Sequence, residues 1–526
     1  MAVGIAPTRD AVGVPTFASG LLASMKYGYN SPMSWFDRFL YKKTTSRKSA
    51  PLYLFNTLGK EKQEFKPAPH ASHVRMYNCG PTVYGMQHIG NLSMFVFTDI
   101  LRRTLERNGM AVKQVINFTD FGHLISDGDE GEDKMTKGMK AESIPLTMEN
   151  MKAFGEKYAQ IFLQDIKALG IDTDKITFPR ASDFVPAMIA MIKTLEEKSY
   201  AYVIKDGVYF DVNRFQGYGA LGGIDTSKLR EGVRVAANPD KRGAADFALW
   251  KSSKKLGWDS PWGKGFPGWH LECSAMIHSI LGRQIDIHTG GIEHIAVHHN
   301  NEIAQSEAVT GKKPLSRFWL HREHIRMQDA KLSKSTGNTA YLNDVIDKGY
   351  RPLSLRYWLL TSHYRTPSNF TWEALDGAQK ALTRLNEKME SVRAEEDIAA
   401  PASFLTAFNE RMNNDIDTPG ALALVWEALK DESLSPIDIK AVLTEADSVF
   451  GLGLTDPDSA MRQKLAVDTE ITHDDVSDEV RTLINDRETA RKEKDWSKAD
   501  ELRAKIDALG FSVKDSSSGP KVYPKS

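Results

Sequence analysis

The chain has 526 residues, in which 68 Lys and Arg nearly balance 69 Asp and Glu, and it has only two cysteines. At ~100–200 residues per domain this length suggests about three or four domains, and the balanced charge means that nucleic acid would need a local basic patch. Two cysteines exclude a disulfide framework and suit a reducing cytoplasm, and no apolar run approaches the ~18 residues of a membrane-spanning helix.

The first 50 residues have no regular pattern. The stretch GLLASMKYGYN lacks a basic segment before a hydrophobic core, so it fails as a secretory signal. We predict that residues 1–50 form a disordered leader, or an extension upstream of a chain that starts near Met33.

The next segment predicts a strand, a helix and a second strand. VRMYN (74–78) is a short strand that ends at a Cys-Gly-Pro turn, and residues 91–109 have apolar side chains at helical spacing up to an Asn-Gly stop. AVKQVINFTD (111–120) is a buried strand. This βαβ unit indicates a parallel sheet with helices on both faces.

A second α/β stretch follows after an interval with mixed patterns. QIDIHTGG (284–291) predicts a strand, HHNNEIAQSEAVTG (298–311) a helix with a Gly stop, and QDAKLSKSTGN (328–338) a polar loop. The interval of about 125–265 contains helical segments and a strand-rich piece, which is typical of an insertion in a split sheet. After residue 345 the pattern is helical, and the C-terminus has charged amphipathic helices and a strand-like tail.

The two cysteines belong to a set of metal-binding residue types that are spread along the chain. Cys79 follows the first strand and Cys273 lies in GWHLECSAM, while His298 and Glu302 are four residues apart and share a helix face. Two thiolates, an imidazole and a carboxylate make a plausible zinc set. Taken singly, a cysteine is more often a core residue and a His-Glu pair a surface pair. Without a CxxC motif, the spacing alone leaves both interpretations open.

A second group of residues suits a nucleotide. The segment from His88 to Asn91 begins a helix after a strand, where free N–H groups and the helix dipole attract phosphate, and Gly90 allows a base or ribose to approach. Lys331 and Lys334 on a Ser/Gly-rich loop could neutralise charge on pyrophosphate. Alternatively, Asn91 is an ordinary helix cap and the loop is merely solvated. The two elements together are much rarer than either one.

These two motifs resemble HIGH and KMSKS, the signatures of class I aminoacyl-tRNA synthetases; here they read HIGN and KLSKS. The chain is most similar to the cysteinyl-tRNA synthetase family from about residue 51 to the C-terminus. The motifs that carry the resemblance occur in the family's order: MYNCGPTVY, HIGN, NFTD, DFALWK, SPWGKGFPGWHLECSAM, DIHTGG, HHNNEIAQSEA, KLSKSTGN and ARKEKDWSKADELR.

The resemblance implies an α/β fold with five parts. These are the leader (1–50), a Rossmann-type parallel-sheet catalytic domain (51–345) with its insertion at about 125–265, a connecting helical region (346–400), a helical bundle (401–470) and a C-terminal anticodon-binding region (471–526) that ends in a small α/β tail. Such an enzyme activates L-cysteine with ATP and Mg²⁺, then transfers cysteine to the 3′ end of tRNA(Cys), at the 2′-hydroxyl. One Zn²⁺ per chain would bind the substrate thiolate. We expect a cytoplasmic monomer that does not use a membrane.

The resemblance also assigns roles to individual residues. The zinc ligands are Cys79, Cys273, His298 and Glu302. The catalytic residues are His88, Asn91, Lys331 and Lys334, and ATP is bound by His88, Gly90, His288, Glu293 and Lys334. Cysteine is bound by Gly80, Thr119 and Trp269, and tRNA by Arg491, Lys494 and Trp496, with Arg487 and Lys492 nearby.

The sequence departs from the family in a few places. TDFGHLISDGDEGEDKM is longer and more acidic than the usual run, so no role is transferred to it, and Glu293 stands where Asp is commoner. Asn300 replaces a frequent Glu, and Asn91 replaces the second histidine of HIGH.

The alternatives are a ligase that adenylates cysteine and couples it to an amino-sugar thiol precursor, and a non-catalytic tRNA-binding paralogue. The former lacks the C-terminal region, and the latter should lack the lysines or zinc ligands. A cytidylyltransferase would lack both cysteines and the KLSKS loop.

Overall fold

The computed structural model describes residues 50–69, 71–121, 134–224, 239–327, 330–331, 339–392, 398–456, 478–493, 495–509, 511–516 and 519–524. The predicted leader apart from Ala50, the acidic run after Phe121 and most of the KLSKS loop therefore lie outside the described residues. Lys334 and Lys494 are among those outside them.

The secondary-structure elements of the described residues are numbered in chain order. The strands are β1 Tyr53–Asn56, β2 Glu61–Glu64, β3 Val74–Asn78, β4 Val112–Ile116, β5 Ile176–Thr177, β6 Ala201–Ile204, β7 Gly207–Phe210, β8 Phe247–Ser252, β9 Gly265–Pro267, β10 Ile285–Gly291, β11 Ser316–Arg322, β12 Ile325–Met327, β13 Ala330–Lys331, β14 Ser368–Phe370, β15 Phe511–Ser516 and β16 Gly519–Pro524. The helices are α1 Ile89–Arg107, α2 Lys134–Ala141, α3 Met148–Ala168, α4 Val185–Glu197, α5 Trp269–Ile280, α6 His298–Thr310, α7 Leu342–Asp347, α8 Pro352–Leu360, α9 Trp372–Ser391, α10 Ala402–Met412, α11 Thr418–Ala428, α12 Pro436–Phe450, α13 Asp478–Lys492 and α14 Trp496–Ala508.

A five-stranded parallel sheet forms the centre of the fold, with strand order β11-β10-β3-β4-β5. The predicted strands at 74–78, 111–120 and 284–291 are three of its members, so the predicted parallel sheet is confirmed. β5 lies inside the stretch of about 125–265, so that stretch contributes a strand to the central sheet. The division into domains stays a prediction.

Helix α1 connects β3 to β4 and forms because apolar residues recur on its inner face. Leu92, Phe95 and Leu101 are all buried, and the helix contacts β10, α3, α8 and α12. Gly109, just beyond the helix, has a φ of +78°, a left-handed conformation that glycine adopts without a Cβ penalty. α1 therefore begins at the edge of the sheet and runs back across its face.

Strands β6, β7, β8 and β9 form a separate antiparallel sheet, which contacts α4 and α5. Helices predominate after residue 341, as the sequence predicted. The described C-terminal residues form two contacting helices, α13 and α14, and a β15–β16 hairpin. No helix among the described residues combines the length and apolar character that crossing a membrane requires.

Candidate active site

A cleft of about 340 Å³ opens at the carboxyl edge of the parallel sheet. Its walls come from the ends of β3, β10 and β11, from the segment after β4, and from the first turns of α1 and α5. Open parallel sheets bind ligands at this edge because the loops after the strands converge there. Most of the site residues that the sequence predicted line this one cleft.

The four predicted zinc ligands converge on one side of the cleft. One ligand atom from each of Cys79, Cys273, His298 and Glu302 lies within 4.8 Å of the others, and all four side chains are buried. Nε2 of His298 is 2.9 Å from Oε1 of Glu302 and 3.6 Å from Sγ of Cys273. Helix geometry explains the His-Glu pair, because residues four apart on α6 share a face.

The electrostatics of this cluster favour a thiolate at Cys273 and a charged imidazole at His298, but not a thiolate at Cys79. The hydrogen bond from Cys79 lowers the pKa of Cys273 to about 6, whereas burial raises the pKa of Cys79. Burial opposes a charged His298, but the neighbouring Glu302 carboxylate raises the pKa of this imidazole to about 10. A buried thiolate and carboxylate held together in this way are the donors that a divalent cation such as zinc requires.

A chain of buried histidines stands behind these ligands. His288 Nε2 lies 2.8 Å from Oε2 of Glu302, and His299 Nε2 lies 3.3 Å from Sγ of Cys79. His299 in turn contacts His321, whose Nδ1 is 2.7 Å from Oγ1 of Thr57. Cys79, His288, His299 and Glu302 form a second group that could hold a metal. The sequence predicted no role for His299 or His321. The pair of adjacent histidines in HHNNE was the only sign that pointed to His299, and no pattern pointed to His321.

The predicted cysteine-binding residues lie beside the metal cluster. The Trp269 ring stacks on His298, with 4.3 Å between ring centroids, and Trp269, Thr119 and Gly80 all line the cleft. Gly80 donates its N–H to Oδ1 of Asn117, and a Cβ at Gly80 would overlap the Asn117 carbonyl oxygen. Only glycine fits this close approach.

Thr119 also has a partner that sequence patterns did not reveal. Its hydroxyl donates to Oε2 of Glu272, at 2.7 Å. Glu272 is buried in α5, and burial raises the pKa of its carboxyl group. A single glutamate next to a cysteine gives no recognisable spacing, so only the fold brings Glu272 to Thr119.

The HIGN segment forms the start of α1 at the mouth of the cleft. Nδ1 of His88 accepts the N–H of Asn91, which caps the helix and leaves Nε2 as the protonated nitrogen of the neutral ring. Asn91 is exposed, and its side-chain amide donates to Oε1 of Gln87. His88, Gly90 and Asn91 all line the cleft.

The residues that follow the KLSKS loop lie against the start of α1. Lys331 is in β13, which pairs with β12, and Arg322 to Ile325 before it line the cleft. On the other side, Ala340 accepts the N–H of Ile89, and Tyr341 pairs with His88. The chain therefore returns beside HIGN after the loop.

The other two residues predicted to bind ATP, Glu293 and His288, lie in different environments. Glu293 lines the cleft, is half-exposed, and lies 3.3 Å from Nε2 of His324. His288 is fully buried against Glu302 and Trp319 and does not line the cleft, so its geometry suits support of a ligand rather than contact with ATP.

Two of the predicted tRNA-binding residues, Arg491 and Trp496, lie on α13 and α14, and Lys494 is outside the described residues. Trp496 is 58% exposed, and the Arg491 guanidinium lies over its ring, 5.6 Å from the centroid. Arg487 is buried and contacts Glu488. An exposed tryptophan beside an arginine suits base stacking.

Comparisons with known proteins identify the class. Residues 65–380 match the family model for the class I (C) tRNA synthetase catalytic domain, and residues 473–521 match the cysteinyl-tRNA ligase anticodon binding domain. In fold, the chain is similar to a methionyl-tRNA synthetase of Mycobacterium tuberculosis in complex with methionyl-adenylate. The TM-score is 0.50 at 15% identity, over 75% of this chain and 96% of that one. The fold and site therefore define a class I aminoacyl-tRNA synthetase, an ATP-dependent ligase.

Curated relatives specify the family. The chain is 43% identical to "Cysteine--tRNA ligase 1" of Burkholderia lata, over 90% of this chain and 97% of the relative. It is 40% identical to the cysteine--tRNA ligase of Novosphingobium aromaticivorans, over 89% of this chain and 96% of the relative. The chain belongs to the cysteine--tRNA ligase family, which confirms the resemblance seen in its sequence.

Proposed function

We propose that this chain attaches L-cysteine to tRNA(Cys) in two steps within the cleft. The cysteine carboxylate attacks the α-phosphate of Mg²⁺-bound ATP, which forms cysteinyl-adenylate and releases pyrophosphate. The 2′-hydroxyl of the terminal adenosine of tRNA then attacks the carbonyl carbon of the adenylate, which forms the cysteinyl ester and releases AMP. The convergence of Cys79, Cys273 and His298 on a cleft that also receives the start of α1 carries this proposal.

A zinc ion fits the buried donor set. Cys79, Cys273, His298 and Glu302 would hold it, because Cys273 and His298 line the cleft whereas His288 and His299 of the second group do not. Bound there, zinc would take the substrate thiolate as a ligand and disfavour the harder serine hydroxyl. An apolar pocket alone gives only ~1–3 kcal/mol of discrimination between such similar side chains.

The chain's own residues position the reactants. Trp269, Thr119 and Gly80 surround the amino acid, and Glu272 holds the Thr119 hydroxyl in a fixed orientation. Nε2–H of His88 and the amides of α1 face the phosphates, Glu293 binds the ribose, and Lys331 and Lys334 neutralise charge on the leaving pyrophosphate. Catalysis in this scheme consists of positioning and charge stabilisation.

The C-terminal region binds the anticodon in this proposal. Its support is the match of residues 473–521 to an anticodon binding domain, together with the exposed Trp496 beside Arg491. A cysteine ligase for amino-sugar substrates lacks such a region, so the match argues against that alternative.

The decisive experiment is cysteine-dependent ATP–pyrophosphate exchange, with metal content measured on the same samples. We expect one zinc per chain, and exchange that a strong chelator abolishes. Cys273→Ala should lose both zinc and exchange, whereas His278→Ala, farther along α5, should keep both. Absence of exchange in metal-replete protein would overturn the enzymatic proposal and favour the non-catalytic paralogue. Exchange that survives removal of the metal would overturn thiolate selection by zinc.

A further inference from the structure

Arg322 is a buried cation at the wall of the cleft. It is the last residue of β11, pairs in register with Gly291 of β10, and is 6% exposed. Both Arg322 and Gly291 line the cleft, as does Ser93 on α1. The guanidinium therefore belongs to the edge of the sheet where the proposed nucleotide site lies.

Arg322 differs from the other buried arginines of the central fold because no carboxylate among the described residues pairs with it. Arg102 and Arg356 both pair with Asp99, whereas no ion pair to Arg322 occurs among the residues that the structure describes. Burial lowers its pKa to about 10, so the side chain remains charged at neutral pH. A buried charge without a counter-ion is unfavourable, and an anionic ligand would relieve this penalty.

A short hydrogen-bond chain connects Arg322 to the first turn of α1. Nε of Arg322 donates to Oγ of Ser93 at 2.9 Å, and the Ser93 hydroxyl donates to the carbonyl oxygen of Gly90 at 2.6 Å. Gly90 and Asn91 belong to HIGN, in which asparagine replaces the second imidazole of HIGH. Arg322 thus places a positive charge next to a helical turn in which asparagine replaces a histidine that could carry charge.

We propose that Arg322 is a positioning residue for the nucleotide: it fixes the first turn of α1 through Ser93 and supplies a positive charge that the phosphates of ATP neutralise. This inference rests on the proposed function, because it takes ATP as the ligand of the cleft. The charge is pre-organised by burial, so it acts on phosphate without the screening that an exposed arginine would experience.

The test compares the affinities of ligands that differ only in the number of phosphate groups. Calorimetry on the full-length, metal-replete chain measures the Kd of ATP, AMP and adenosine for wild type, Arg322→Met and Arg322→Lys. We expect Arg322→Met to weaken ATP roughly tenfold or more while adenosine changes less than about twofold, and Arg322→Lys to recover much of the loss. Arg317→Met, at the opposite end of β11, is the matched control and should bind all three like wild type.

Each outcome of this comparison supports or overturns the assignment. Equal weakening of ATP and adenosine would indicate lost packing, and unchanged ATP binding would remove any role for the charge; either result overturns it. If Arg322→Met does not fold, Ser93→Ala tests the positioning component: the KM for ATP should rise while the KM for cysteine stays unchanged, and an unchanged KM for ATP overturns the proposal. Wild-type protein that does not bind ATP would instead refute the proposed function.

Discussion

His88 combines two roles in one side chain. Its Nδ1 caps α1 by accepting the N–H of Asn91, and its ring lines the cleft where the proposed phosphates lie. The cap is a contribution to stability that asparagine can also make, whereas the imidazole N–H toward phosphate is specific to histidine. The two roles can therefore be separated by substitution.

We expect His88→Asn to keep the stability of the wild type to within about 0.5 kcal/mol, because asparagine is a strong N-cap. The rate of ATP–pyrophosphate exchange should fall roughly 100-fold, since one group that stabilises the developing charge is lost. Denaturant unfolding and exchange kinetics measure the two effects. His88→Ala should lose both cap and activity. Retained exchange in His88→Asn would contradict a role in catalysis.

Asp165 on α3 makes the folded state sensitive to pH. Its carboxyl group is partly buried, and burial raises its pKa from 3.8 to about 7. A raised pKa for an acid means that the folded state binds the proton more tightly than the unfolded state. The resulting loss of stability is absent below about pH 4, grows as pH rises, and is complete above about pH 7.

Asp165→Asn should remove this loss. We expect the midpoint of thermal unfolding to rise relative to wild type at pH 8, with little difference between the two proteins at pH 4. Scanning calorimetry across this range measures the difference, and Asp172→Asn, an exposed carboxyl group beyond α3, serves as the control. A gain that is the same at pH 4 and pH 8 would refute the assigned pKa.

At the scale of elements, α1 is held to the helical part of the chain by a buried charge cluster. Asp99 of α1 pairs with Arg102 and Arg103 of the same helix and with Arg356 of α8, whose Nη2 lies 2.5 Å from Oδ2. Arg356 also donates to the carbonyl oxygens of Leu169 and Phe450. The cluster thus joins the helix that begins with HIGN to three distant segments.

Asp99→Asn should destabilise the fold by about 3 kcal/mol or more, because it leaves buried guanidinium groups without their counter-ion. The free energy of unfolding by urea measures this change. Asp376→Asn removes the exposed pair with Lys380 on α9 and should leave the free energy of unfolding nearly unchanged. If the two variants lost similar stability, the buried cluster would not act as a structural junction.

For the whole molecule, the C-terminal region has apolar cores of its own. Val480, Ile484, Ile506 and Val513 form one cluster, and Ala490, Ala499 and Leu502 another, both separate from the main core. The catalytic cleft uses none of these residues. Amino-acid activation and tRNA recognition should therefore be separable along the chain.

We expect a chain that ends at residue 456 to retain cysteine-dependent pyrophosphate exchange, because every cleft residue remains in it. Charging of tRNA(Cys) should fall at least tenfold, since the anticodon contacts are lost. Trp496→Ala in the full chain tests the same prediction with one substitution. It should lower the rate of tRNA(Cys) charging and leave the rate of pyrophosphate exchange unchanged. Full charging activity in the shortened chain would exclude an anticodon role for the C-terminal region.

Sequence by itself determined the family and the parallel sheet, and most of the site residues that it predicted line the cleft. These features depend on local order along the chain: Cys79 lies nine residues before His88 of HIGN, His298 and Glu302 are one helical turn apart, and apolar runs indicate the strands. Membership of the cysteine--tRNA ligase family and the α/β fold are confirmed. The roles of the individual site residues and the domain boundaries stay predictions.

Only the tertiary structure decided which groups support those residues. Glu272 meets Thr119 from 153 positions away, Arg322 meets Ser93 from 229, and Cys79 meets His299 from 220. It also placed His288 behind Glu302 instead of in the cleft. Buried polar side chains must find partners wherever the fold provides them, and such partners follow no spacing along the chain because they depend on how strands and helices pack.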